Sequence, residues 1–222
     1  TPTTHSAFTT LDPIPVGGAA YAADTLDSLA VTANGAAIYT QTGIAAQSLP
    51  WTVSPAWTPP GEGTYTLVAT VADQDSDVIT SGAPISGTPG LSTVVYVDTT
   101  PPDLAITTDR VSGSNFDSNG YVQVTGLVTE TTGIQRLQVR LATSANSGRA
   151  GAWQDVGVSG PYPLAGAPWS AVLHAGSPIP PAGQTYTLTA RVTDVASRTV
   201  EVSRAVWADA APPDAFGVTL AY

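Results

Sequence analysis

The 222 residues carry 17 acids against seven cations, a net charge of −10 that disfavours nucleic acid and anionic membrane surfaces as partners. Cysteine is absent, which excludes disulfides and thiolate metal sites, and no apolar run approaches the about 20 residues that span a bilayer. With 42% apolar residues beside 21 Gly and 19 Pro, the chain is too apolar to be disordered and too rich in breakers to be helical. Lysine and methionine are missing too, and the lack of an initiating Met points to a processed or excised chain. A surface without Lys, Met and Cys resists tryptic cleavage and oxidation, as suits a protein outside the cell; drift in base composition leaves the same mark.

In chain order, the first strong signal is Asn34-Gly35 between Leu29/Val31 and Ala37-Ile38-Tyr39. Both turn residues tolerate positive φ, so a tight hairpin is expected there. Pro50-Trp51 follows, and Trp57 in a Pro-flanked loop is a candidate platform for stacking on a glycan. Residues 59–73 read PPGEGTYTLVATVAD, with Tyr65, Leu67, Ala69 and Val71 on one face of an expected strand.

Asp73-x-Asp75-x-Asp77 comes next. Hard cations draw several carboxylate oxygens to one turn, so Asp73, Asp75 and Asp77 are candidate Ca²⁺ ligands. The run is not an EF-hand, since position six would be Val78 and position twelve Pro84. A site shared with Asp98 and Asp103 at the domain junction is the other placement. An insertion around residues 79–90 lengthens the hairpin that follows, and Thr99-Thr100-Pro101-Pro102 forms a short, stiff linker.

Beyond the linker, strands are expected over residues 121–129 and 134–141, and Trp153 in a Gly-flanked loop is a second candidate platform. Then the chain repeats itself. Pro168-Trp169 matches Pro50-Trp51, and residues 180–194, PPAGQTYTLTARVTD, match 59–73. In both copies the tyrosine lies five residues after the second proline and eight before the aspartate. A last strand is expected over 200–207, and residues 208–214 repeat the linker at 97–103. Self-similarity at one domain length means two copies of one unit in series.

No segment sustains a helical period, so each copy is expected to be an all-β sandwich of about seven strands. Tyr65 and Tyr186, each two residues before a Leu, stand where a tyrosine corner ties a hydroxyl to the preceding turn. GTYTLVATVAD followed by VDTTPPD, with Gly126-Leu127-Val128-Thr129-Glu130 leading to Gly133-Ile134, resembles the bacterial immunoglobulin-like repeats of large surface proteins and adhesins. The resemblance covers nearly the whole chain. It implies two tandem immunoglobulin-like β-sandwiches joined by a Pro-Pro linker, residues 1–100 and 101–209, in an extracellular or cell-surface protein.

Residues 210–222 form a third segment. Phe216, Val218, Leu220 and Tyr222 alternate as an extra strand where a third domain would begin. The expectation is donation to a sheet edge of a neighbouring copy; folding back in cis, or continuation into a longer array, are the alternatives. Charge is uneven as well: residues 1–109 hold ten acids and no Arg, while residues 110–222 hold seven acids and all seven Arg. Catalytic signals are thin, with two histidines (His5 and His174) and no Gly-x-Ser-x-Gly elbow. The expected function is therefore non-catalytic: a surface stalk, or a head-to-tail filament whose partners are other copies of itself. The competing class is an adhesin or carbohydrate-binding accessory module of a larger secreted protein, with a host or glycan ligand.

Overall fold

A computed structural model describes residues 5–74, 78–80, 92–108, 116–117, 120–143, 151–158, 162–175 and 184–208. Among these there is no helix. The chain divides into two compact units, Thr1–Thr100 and Pro101–Tyr222.

The first unit contains β1 (Ser6–Phe8), β2 (Gly17–Ala33), β3 (Ala36–Thr52), β4 (Gly63–Asp73), β5 (Val78–Thr80) and β6 (Thr93–Val97). They hydrogen-bond in the order β1-β6-β4-β2-β3, with β5 also on β4, and β1 runs parallel to β6. Asn34 and Gly35 close the β2–β3 hairpin with φ of 47° and 82°, the left-handed pair that a two-residue hairpin needs. Asn34 also continues the sheet: its Oδ1 accepts the Thr66 N–H at 2.7 Å and its Nδ2 donates to the Thr64 carbonyl at 3.0 Å.

The 17-residue strands β2 and β3 are not one flat ribbon. Their register breaks between Tyr21 and Leu26 and again between Leu26 and Ser28, near Gly43 at φ 69°. Bulges bend and twist a strand, which lets one hairpin serve two layers. The limb pairing Gly17 to Tyr21 with Ser48 to Thr52 lies beyond the first break, and its Ala20 joins Leu29, Val31, Leu67 and Val95 in a single core. Each of these Leu and Val side chains contributes about 1.5–3 kcal/mol when fully buried.

The second unit is divided into two sheets instead of one. It contains β7 (Asp103–Ile106), β8 (Tyr121–Glu130), β9 (Ile134–Thr143), β10 (Gln154–Asp155), β11 (Leu164–His174), β12 (Gln184–Asp194) and β13 (Thr199–Ala208). A four-stranded sheet, β10-β9-β12-β13, and a three-stranded sheet, β11-β8-β7, form a β-sandwich. Alternation is strict in β8 and broken once in β12, where Thr189 is buried too: Val122, Val124 and Val128 of β8 and Leu188, Ala190 and Val192 of β12 lie in the core that the two sheets share.

The Pro-Trp repeat has a structural counterpart. Trp51 stands opposite Gly18 across β2–β3, and Trp169 stands opposite Gly126 across β8–β11. In both places the glycine lacks the Cβ that would meet the indole, at 2.9 Å in the first unit and 2.1 Å in the second. The tyrosine corner is present in the first unit, where the Tyr65 hydroxyl donates to the Gly61 carbonyl at 2.9 Å. Tyr186 is buried against Phe116, ring centroids 5.0 Å apart, and burial raises its hydroxyl pKa above the usual tyrosine value.

Candidate functional site

Strand phase brings two acids into the core of the second unit. Glu130 follows Val122, Val124 and Val128 on the inward side of β8, and Asp194 follows Leu188, Ala190 and Val192 on the inward side of β12. Glu130 is 3% exposed and Asp194 fully buried, and a carboxylate oxygen of one lies within 4.8 Å of one of the other. Asp194 is neutralised locally. Its Oδ1 accepts the Arg198 backbone N–H at 2.8 Å and its Oδ2 accepts Arg198 Nε at 2.9 Å.

Glu130 is only half satisfied. Its Oε1 accepts from the Thr132 N–H at 2.9 Å, the Thr132 hydroxyl at 3.1 Å and the Gly133 N–H at 3.4 Å, while Oε2 is buried without a hydrogen bond. A buried oxygen of that kind is where a cation or an ordered water sits. Neither residue stands out by sequence spacing, because 64 residues separate them. Strand phase is the signal that finds them: each is an acid occupying an apolar slot.

Of the five acids read from the sequence, three lie among the described residues. Asp73 ends β4 half-buried; Asp75 and Asp77 lie outside the described residues. Asp98, just past β6, is fully buried, and Asp103 opens β7 exposed. In the first unit Glu62 draws the end of the unit to the β4 turn. Its Oε1 accepts the Thr99 N–H at 2.7 Å and the Thr100 hydroxyl at 2.7 Å, together with the Thr99 hydroxyl. Burial pushes the Glu62 pKa up, but these hydrogen bonds together outweigh it and hold the carboxyl below its ordinary value.

Neither tryptophan proposed as a ligand platform is open. Trp57 exchanges backbone hydrogen bonds with Ile14, at 2.7 and 3.1 Å, which turns its ring inward. It is 8% exposed and meets Tyr65 edge-on at 5.1 Å, so it belongs to the core. Trp153 is half-buried, and its ring is engaged by two arginines, with the guanidinium carbons of Arg140 and Arg191 at 4.3 and 4.0 Å from its centroid.

Around Trp153 the outer face of the four-stranded sheet is one polar network. Arg191 donates from Nε and Nη2 to Gln138 Oε1 at 2.8 and 2.6 Å, and Gln138 Nε2 donates to Asp155 Oδ1 at 2.8 Å. Asp155 also takes a forked contact from Arg136, at 2.8 and 3.2 Å. The Arg136 hydrogen bond, then that from Gln138, holds the Asp155 carboxyl below its ordinary pKa. Trp51 is the half-buried tryptophan of the first unit; with Pro15, Gly17, Gly18 and Pro50 it borders an open groove lined by uncharged side chains. Phe216, Val218, Leu220 and Tyr222 lie outside the described residues.

No protein-family model matches the chain, and no curated protein matches it. Among solved structures it is similar to fibronectin(III)-like modules of Clostridium thermocellum CbhA, at 14% identity and a TM-score of 0.38, over 94% of this chain and 91% of that one. It is also similar to a tetra-tandem repeat in the extending region of a large adhesion protein, at 18% identity and a TM-score of 0.47. That match covers 92% of this chain and 48% of the other, so this chain spans about half its length.

Proposed function

We propose that the chain is a non-catalytic structural module of an extracellular assembly, a stalk segment or the subunit of a head-to-tail filament. The observation that carries this reading is the serial repeat of two β units, each of which sets the tryptophan of its Pro-Trp pair opposite a glycine. Burial of Trp57 and engagement of the half-buried Trp153 ring by two arginines favour spacing over ligand capture. Strand donation by Phe216, Val218, Leu220 and Tyr222 supplies the link between copies. A suitable acceptor is β3, which pairs only with β2 among the described strands and has no charged side chain in 17 residues. Natural edges are ordinarily blunted by charge, so an uncharged edge is open to an added strand. Electron microscopy of the full chain should show regular fibres that vanish when residues 214–222 are removed. Particles of one size from both proteins would reject the filament.

A calcium ion belongs to the same proposal, held by Glu130 and Asp194 instead of the Asp73 turn. Its support is the buried, unpartnered Glu130 Oε2. Millimolar Ca²⁺ should raise the melting temperature of the full chain by about 5 °C or more over chelator-treated protein. Glu130→Gln should remove most of that rise, and equal melting with and without Ca²⁺ would reject the ion.

A further inference from the structure

We infer that the Arg140–Trp153–Arg191 cluster on the outer face of the second unit's four-stranded sheet docks carboxylates of the first unit of a second copy. This inference rests on the head-to-tail reading above and assigns it a contact separate from strand donation. The starting point is a local imbalance of charge. Arg136, Arg140 and Arg191 share one sheet face, and the nearby acids are Asp155 and Glu201. Asp155 is engaged by Arg136 and Gln138. Glu201 comes no closer to Arg140 than 3.8 Å, beyond a hydrogen bond.

Arg140 and Arg191 are therefore cations without a hydrogen-bonded carboxylate among the described residues. Arg191 has a neutral acceptor instead, the Gln138 carbonyl oxygen, which occupies Nε and one N–H of Nη2. A guanidinium has five N–H donors, so most of the fork remains available for a carboxylate. Trp153 fixes both side chains by lying between 4.0 and 4.3 Å from them, which lowers the entropy lost when an anion binds. Arg140 keeps 31% of its side chain in contact with solvent, enough for an incoming oxygen to reach it.

The occupant follows from charge complementarity. Residues 1–100 carry eight acids and no arginine, so no acid of the first unit has an arginine of its own unit to pair with. Asp12 and Asp27 are exposed there. Two copies meeting second unit to first therefore bring opposite charges together, and such a heterologous contact builds an open chain instead of a closed pair.

The test uses the full chain in sedimentation velocity at about 50 mM and about 500 mM NaCl, where screening separates surface charge from apolar contact. Self-association should be salt-sensitive. Arg140→Glu with Arg191→Glu should weaken it at least about tenfold at low salt, the scale of a single close charge pair. Because those changes also disturb Trp153, a second variant leaves the ring alone: Glu201→Gln removes the acid beside Arg140 and should tighten association. Asp12→Arg with Asp27→Arg should weaken association in the same way, and an equimolar mixture with the double Arg variant, whose reversed charges complement these, should regain the wild-type level. Oligomers unchanged in the double Arg variant and in Glu201→Gln would overturn the docking site while leaving strand donation intact. A wild-type chain that stays monomeric at both salt concentrations would overturn the assembly reading itself.

Discussion

Gly126→Ala is expected to lose at least about 3 kcal/mol of stability in the second unit, the upper part of the range for overpacking a core. A Cβ at this position would stand 2.1 Å from Trp169 Cζ2, 2.2 Å from its Cε2 and 2.2 Å from the Ala105 carbonyl oxygen. Trp169 is 3% exposed, so the indole has nowhere to go. The carbonyl is backbone of β7, hydrogen-bonded in register to β8. Relief therefore requires parting two strands or expelling the indole, and either one breaks the shared core. Gly18→Ala is the matched comparison. Its Cβ would meet Trp51 at 2.9 Å, but Trp51 is half-buried at the edge of a groove and can tilt outward, so a loss of about 1 kcal/mol is expected. Gly157→Ala, with nothing within 4 Å, should stay within about 0.5 kcal/mol of wild type. Denaturant titration of the three variants checks the order, and equal midpoints for Gly126→Ala and Gly157→Ala would refute it.

Legibility in the sequence followed the range of the interaction. The Asn34-Gly35 turn and the Tyr65 corner were readable because each closes within a few residues. The alternating strands β4 and β12 were readable for the same reason: a strand's period is local. What escaped depends on partners far along the chain. Gly18 and Gly126 have no signature of their own, since their role is set by a tryptophan 33 or 43 residues away across the sheet. Trp57 reads as a loop residue between prolines, yet its pairing with Ile14 draws it into the core. Trp153 reads as an exposed ring, and arginines from β9 and β12 engage it. The acidic run at Asp73 catches the eye because its residues are adjacent. Glu130 and Asp194 do not, although counting the phase of each strand to its end places both in apolar slots.

Asp194→Ala should cost the second unit about 3–5 kcal/mol, as expected when one partner of a buried pair is removed. The Asp194 carboxylate closes the β12–β13 turn from inside: one oxygen takes the Arg198 amide, the other takes its guanidinium, and the backbones pair at 3.0 Å. Ser197 holds φ at 66° within that turn, a conformation unfavourable for serine that the surrounding hydrogen bonds stabilise. Alanine leaves the Arg198 side chain, 23% exposed, without its counter-ion and leaves a backbone donor without an acceptor. Asp194→Asn retains one carbonyl acceptor and should fall between alanine and wild type. Asp73→Ala, at the matching position of the half-buried β4 end, should cost about 1 kcal/mol, because water can replace what the carboxylate supplied. Unfolding followed by tryptophan fluorescence in the presence of a chelator isolates the turn from any bound cation. Under those conditions a loss at Asp194 no greater than at Asp73 would mean that burial of the acid, and not its place in the repeat, has been misjudged as the source of its importance.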